Sequence, residues 1–285
     1  MHKEHHGLLV AVGTAALSAV SAILVRYTPV PVTTLLFFRF AICSLFVLPS
    51  LWQRRVILTP TSIRLHTPRA VAGLLTMACF LYSIYHLAIM DALTFSNTTP
   101  IFLPVVIFFW LKQVVTKTRI LALLIGFLGV VIILHPDGHI HLIAALIGLF
   151  GGLCGAFVQI GIKQLSITES IEKILTHYFV IITVVTFFPM IYFWQPITNP
   201  IIWINLGLIG LIAALFQYCY ARSLKYAGST KVSAVNYLAI PFGGLLGWWL
   251  FDETPSILAL AGTALILVGG VMAILSKKET HDEKK

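Results

Sequence analysis

Apolar residues run through this chain in stretches that a water-facing helix or strand would interrupt. TTLLFFRFAICSLFVLPS (33–50) is apolar on almost every side of a helix, with no repeating polar face. A helix that crosses a bilayer needs about 20 largely apolar residues. Cutting the apolar runs at Pro, Gly and charge clusters predicts ten such helices. They are 7–26, 32–52, 70–89, 94–111, 118–135, 141–162, 173–194, 201–221, 229–250 and 256–276. The first is longer than the apolar stretch of a cleaved leader, and further spans follow at once, so it is read as retained.

Composition agrees with this pattern: 59% apolar residues, 10% charged and a mean hydropathy of +0.96 exclude an ordinary soluble domain. The formal charge of +9 points to the membrane rather than to nucleic acid, because the basic residues sit in short loops between apolar runs. Seventeen Lys and Arg lie at the termini and in the even-numbered loops, among them Arg54, Arg55, Arg64 and Arg69 in the second. Arg26 alone lies in an odd-numbered loop, and Arg39 alone inside a span. The positive-inside rule therefore places both termini, including a basic tail at 277–285, in the cytoplasm. Cys43, Cys79, Cys154 and Cys219 fall inside apolar runs without CxxC spacing, as buried inert thiols do.

The chain also repeats itself. LAIMDALTFSNTTPIFLP (87–104) lies against LKYAGSTKVSAVNYLAIP (224–241) without a gap at an offset of 137, and ILVRY (23–27) against IGIKQ (160–164) at the same offset. At an offset of 140, Pro49 meets Pro189 and GFLGVV (126–131) meets the helix with ILVGGV (266–271). The halves are then 1–137 and 138–276, with five spans each. An odd number forces the second half to insert upside down, which places a substrate site near the midplane between the halves.

With this architecture, RFAICSLFVLP in the second span, LAIMDALTFSNTTPIFLPVV across spans three and four, and ILALAGTALILVGGVMAIL at the end resemble the ten-helix EamA-like exporters of the drug/metabolite transporter superfamily. The resemblance covers about 7–276. It implies an all-helical multi-pass protein of a bacterial inner membrane, working by alternating access as a monomer or homodimer. It also implies a small-molecule substrate, no cofactor and no enzyme activity. Family members carry amino acids, nucleobases, sugar phosphates, cationic drugs or siderophore-like molecules. Two departures stand out. Lys112 and Gln113 occupy the place of a Glu common after span four, whose second-half counterpart is Glu253. The Arg of RF has no twin in span seven, where the 140 offset reaches Phe179.

Ionisable groups within spans are the first functional candidates, because each costs about 2.5–3.5 kcal/mol to place at a helix centre. All ten carboxylates are expected in loops or tails, Asp91 included. A cation/proton exchanger needs a membrane carboxylate, so that class is disfavoured, and a cavity holding Arg39 would attract an acid. Arg39 equally suits a structural role, capping carbonyls or pairing with Asp91. His86 and His177 are the candidates for proton coupling. The HPDGHIH loop (135–141) lacks metal-ligand spacing and reads as a turn between the halves.

Polar residues beside the prolines of spans four and nine mark the expected cavity: Asn97 and Thr98 before Pro100, with Asn236 and Tyr237 before Pro241. Ser229, Thr230 and Ser233 precede the latter pair. Thr14, Ser18 and Ser21 share one face of span one. Tyr82 and Tyr85 on span three, Gln159 on span six, and Gln217 and Tyr218 on span eight complete the set. Small and hydroxyl residues also serve plain helix packing. The sequence thus predicts an exporter of a small polar metabolite, an amino acid or another acidic or zwitterionic compound. A carrier of cationic drugs or nucleobases is the alternative on the same fold. An intramembrane enzyme would need a nucleophile–base pair inside the spans, which is missing.

Overall fold

The computed structural model describes residues 2–53, 60–112, 116–133 and 141–275. Arg54, Arg55, most of the HPDGHIH loop, the basic tail, and the side chains of Ser229, Thr230 and Ser233 lie outside the described residues. The described residues form eleven helices and no strand: α1 His2–Arg26, α2 Val32–Gln53, α3 Pro60–His86, α4 Ile89–Ser96, α5 Thr99–Leu111, α6 Lys117–Ile133, α7 Leu142–Leu165, α8 Ile171–Tyr192, α9 Pro200–Asn236, α10 Ala239–Phe251 and α11 Ile257–Leu275. Six helical segments are long and apolar enough to cross a membrane: His5–Arg26, Thr61–His86, Ile89–Trp110, Leu142–Leu165, Ile171–Tyr192 and Pro200–Leu224. Four shorter apolar helices accompany them, Val32–Val47, Ile120–Ile133, Ala239–Phe251 and Ile257–Met272.

Three boundaries differ from the expected ones, each for a local reason. Helix α3 starts at Pro60, because proline fits a first helical turn, and it runs through Pro68. Arg64 and Arg69 therefore belong to a helix rather than to a loop. Helix α4 begins at Ile89, so Asp91 stands in its first turn, inside the Ile89–Trp110 segment. The expectation that no carboxylate lies in a span is corrected by that residue. Finally, the loop expected at 222–228 is helical, and α9 continues to Asn236 before breaking at Tyr237 and Leu238.

The helical break after α4 follows from its sequence. Pro100 at the start of α5 has no N–H to give to the preceding turn, where the Phe95 carbonyl accepts from the Thr98 hydroxyl at 2.6 Å and from the Thr98 N–H at 3.2 Å. Asn97 returns its side-chain amide to the Leu93 carbonyl at 2.8 Å. The same anatomy recurs 140 residues on, from 99 to 239 and from 111 to 251: α10 matches α5 in length, and Lys112 and Asp252 close the two helices in left-handed conformation, φ 52° and 54°. In this region the helix bounds repeat at 140, not at the ungapped 137 suggested by the residues.

Packing runs mainly between the first five segments and the last five. Helix α1 lies against α9 and α10, and α7 against α3, α4 and α5 in the corresponding way; α2 packs on α8 and α9, and α6 on α11. The α6–α11 contact is the tightest. A methyl added at Gly269 would sit 2.6 Å from the Ala122 carbonyl oxygen and 2.7 Å from the Gly126 nitrogen, and one at Gly129 would sit 2.5 Å from the Gly262 carbonyl oxygen. Backbones can approach this closely only without side chains. Gly207 on α9, by contrast, faces open space. Gly269→Ala is expected to destabilise by about 1–3 kcal/mol through overpacking. Gly207→Ala should be neutral or stabilising by up to about 1 kcal/mol, through helix propensity. Thermal unfolding of both variants in one detergent checks the contrast, and equal melting temperatures would refute it.

Candidate functional site

Midway along the helices, a cavity of about 170 Å³ gathers side chains from α1, α2, α3, α7, α8 and α9 and from the α4–α5 break. The break matters because non-helical backbone at membrane depth is tolerated where it faces protein or a cavity. It presents Ser96, Asn97, Thr99 and Pro100 to the space. Opposite them stand Gln159, Gln217 and Tyr220, with Gln159 donating its amide to the Tyr220 hydroxyl at 3.0 Å. Tyr220 stacks on Phe216 at 5.6 Å and 9°, a flat apolar wall beside polar tips.

Arg39 is the one charged residue in the lining, and no carboxylate shares the cavity with it. It is 4% exposed and donates from Nη1 to the Ser21 hydroxyl at 3.1 Å. A turn of α2 carries Phe40 and Cys43 beside it, and Phe40 meets the Tyr178 ring edge-on at 5.4 Å. The expected pairing of Arg39 with Asp91 is not formed: Asp91 lines a separate cavity of about 200 Å³ at one end of the helices, with His86 and Glu253.

Among the residues singled out from sequence, Arg39, Ser18, Ser21, Asn97, Gln159, Gln217 and Asn236 come together in the central cavity. The others do not line it. Thr14 is fully buried one turn from Ser18, donates to the Ala11 carbonyl at 2.6 Å and lies 3.1 Å from the Asn236 side-chain oxygen. Thr98 faces Gly152 and caps its own helix break. Tyr237 packs against Gly270 on α11, and Tyr218 receives Arg222 at 3.3 Å on an exposed side. Tyr85 donates to the Thr28 carbonyl at 2.8 Å, tying α3 to the α1–α2 turn. Tyr82 stacks on His86 at 4.2 Å, and His86 is exposed at the end of α3. Helical periodicity selected a face for these residues but not which neighbour would cover it.

Polar ties hold the two ends. At one, Arg26 donates to the Glu253 carboxylate at 2.7 Å and to the Leu87 carbonyl, while Glu253 accepts the Ile89 N–H at 2.7 Å, satisfying a free donor at the start of α4. Arg26 also stands 5.9 Å over the Phe251 ring. At the other end, His177 stacks on His66 at 4.2 Å and 17°. The Nδ1 of His177 donates to the Lys173 carbonyl at 2.8 Å, which leaves Nε2 to accept from Ser62 at 3.0 Å. Glu169 joins His66 at 3.3 Å and Lys173 at 2.8 Å. Sequence reasoning missed His66 and the burial of Arg69, because the span of α3 was expected to start at 70, and it passed over Tyr178, which lies inside the expected span 173–194. A helix begun at Pro60 would have put all of its polar residues on view.

The sequence pattern of the EamA-like transporter family matches residues 5–135 and again 142–275. The chain belongs to the EamA-like transporter family. It is therefore a multi-pass membrane protein of a transport family. It is 27% identical to the pseudopaline exporter CntI of Pseudomonas aeruginosa over 278 residues, covering 95% of this chain and 97% of that one. The riboflavin transporter of Vibrio cholerae is 25% identical over 90% of this chain and 86% of its own. The S-adenosylmethionine uptake transporter of Rickettsia bellii is 21% identical over 87% and 85%. A solved crystal structure shares the fold at a TM-score of 0.67, with 15% identity over 95% of this chain and 96% of that one.

Burial alone would raise the Glu169 carboxyl, but the Lys173 ammonium and the His66 ring hold it below its ordinary value of 4.5. A carboxylate held low contributes stability that is present above the unfolded-state value and lost as pH falls through the folded one. Glu169→Gln is expected to lower the melting temperature at neutral pH, with the difference closing as pH drops below 4.5. Identical melting curves at neutral pH would show that this tie contributes nothing.

Proposed function

We propose that this protein exports a small polar metabolite bearing at least one acidic group, by alternating access through the central cavity. The carrying observation is the charge of that cavity: a buried guanidinium, uncharged hydroxyls and amides around it, and no carboxylate among the lining residues. A guanidinium in a low-dielectric cavity favours a carboxylate or phosphate, which it can bind through two parallel hydrogen bonds. The same charge disfavours a cationic drug. The polar tips of Gln159, Gln217 and Asn236 suit the remaining polar groups of an amino acid or a related zwitterion.

Ten spans in two inverted five-helix halves, with both termini in the cytoplasm of a bacterium's inner membrane, are the arrangement we infer. It is supported by the doubled family match, the recurrence of α5 as α10 and the exchangeable packing of α1 on α9 and α7 on α3. In that orientation the His66–His177 tie faces the cytoplasm and the Arg26–Glu253 tie faces outward. Proton coupling, if the cycle uses it, falls to His177 with its partner His66 rather than to exposed His86. The family match and the named transporters among the relatives support transport as the activity.

The test is binding to purified protein in nanodiscs, comparing acids with their amides. Arg39→Ala is expected to weaken acid binding about tenfold to a hundredfold, the worth of one charge-assisted contact, while amides are unaffected. Equal acid affinity in the parent and in a monodisperse Arg39→Ala protein would overturn the reading.

A further inference from the structure

Ser62, His66, Arg69, Gly73, Thr76 and Phe80 follow one another along α3 at spacings of four and three, on a single face of the helix. Gly73, Thr76 and Phe80 line the central cavity. Arg69 and His66 carry the same face beyond it, into the seam between α3 and α8. Thr76, Arg69, His66 and Ser62 thus carry polar groups from the cavity to the end of the helices where His66 stacks on His177.

Arg69 is the unexplained member of that row. It is 3% exposed, and none of its three guanidinium nitrogens has a hydrogen-bond partner. Its charge rests on the face of Tyr178, 3.5 Å from the ring centroid. A cation–π contact offsets only part of what five unmet N–H donors cost in a buried site. Such a fork of donors is completed by a carboxylate or phosphate. Tyr178 in turn lines the cavity and lies across Gly73, where an added methyl would come 2.5 Å from its ring. One aromatic side chain therefore stands between the cavity of Arg39 and the donors of Arg69.

We propose that Arg69 is a second anion site, uncovered when Tyr178 swings off it, and that the acidic group of the cargo passes between Arg69 and Arg39 as the α3–α8 seam opens. This rests on the reading that the cavity takes an acid. On the inferred orientation, Arg69 is the first buried arginine met from the cytoplasm and Arg39 the second. The ligand class is a carboxylate or phosphate, and Tyr178 is the gate between two positions of the same group.

The experiment uses the full chain in nanodiscs and proteoliposomes, with succinate, citrate, glutamate and inorganic phosphate as probes and succinamide as the uncharged control. Arg39→Ala should weaken acid binding about tenfold to a hundredfold. Arg69→Gln should keep equilibrium binding within about threefold but slow exchange of the bound acid about tenfold or more, with only partial recovery in Arg69→Lys, which restores charge without the fork. Modification of Arg69 by phenylglyoxal, located by mass spectrometry, should be slowed by the bound acid and not by succinamide, an effect that a purely structural arginine would not show. If no probe acid binds the parent protein, the acid reading falls and this proposal with it. If acids bind through Arg39, yet Arg69→Gln exchanges at the parental rate or Arg69 labelling ignores them, this proposal alone is overturned.

Discussion

A peptide group in hydrocarbon must find its hydrogen-bond partner within the protein, and the architecture of this chain follows from that requirement. It makes every described segment helical and confines irregular backbone to places lined by protein. The break between α4 and α5 is such a place. Pro100 withholds a donor, Thr98 and Asn97 add side-chain hydrogen bonds to the Phe95 and Leu93 carbonyls, and neighbouring Ser96 and Thr99 face the cavity. The cavity exists where the helix fails, and the helix can fail there because a cavity receives its polar groups.

Charge obeys the same rule less comfortably. At the two ends, cations meet anions directly: Arg26 with Glu253, Lys173 with Glu169. In the middle, Arg39 has the Ser21 hydroxyl and Arg69 has an aromatic face, with no carboxylate on either. Closed, tied ends and an unneutralised centre suit a carrier whose cargo supplies the missing charge for part of its cycle.

The amino-acid sequence disclosed much of this because its strongest signals are long-range averages. Runs of about 20 apolar residues survive any error at their edges, whereas the fragment covering α5 was aligned at an offset of 137 and the helix bounds of α5 and α10 stand 140 apart. Ser18, Ser21, Arg39, Asn97, Gln159, Gln217 and Asn236 were found because each stands out as polar against an apolar background. Edges were less legible. Basic residues at 64 and 69 look like loop, although a helix rich in them persists when α7 and α8 cover it, as Gly161 covers the Arg69 stem and Tyr178 its head. Tyr237 and Thr98 were misplaced for a different reason: which way a residue faces beside a broken helix depends on the break angle, and no periodicity encodes that.

The contact of α6 with α11 has its own consequence for movement. Most other helix contacts run through side chains, which can change rotamer and let one surface slip past another. Here Gly129 meets Gly262, and Gly269 meets Gly126 and the Ala122 carbonyl, so the two backbones are in register like teeth of a ratchet without play. Slippage by less than a residue would drive Cα atoms into carbonyl oxygens. A carrier working by the proposed cycle would consequently keep this pair fixed and move its other helices. In that cycle the cavity would open by tilting of α1–α3 and α7–α9 against this pair.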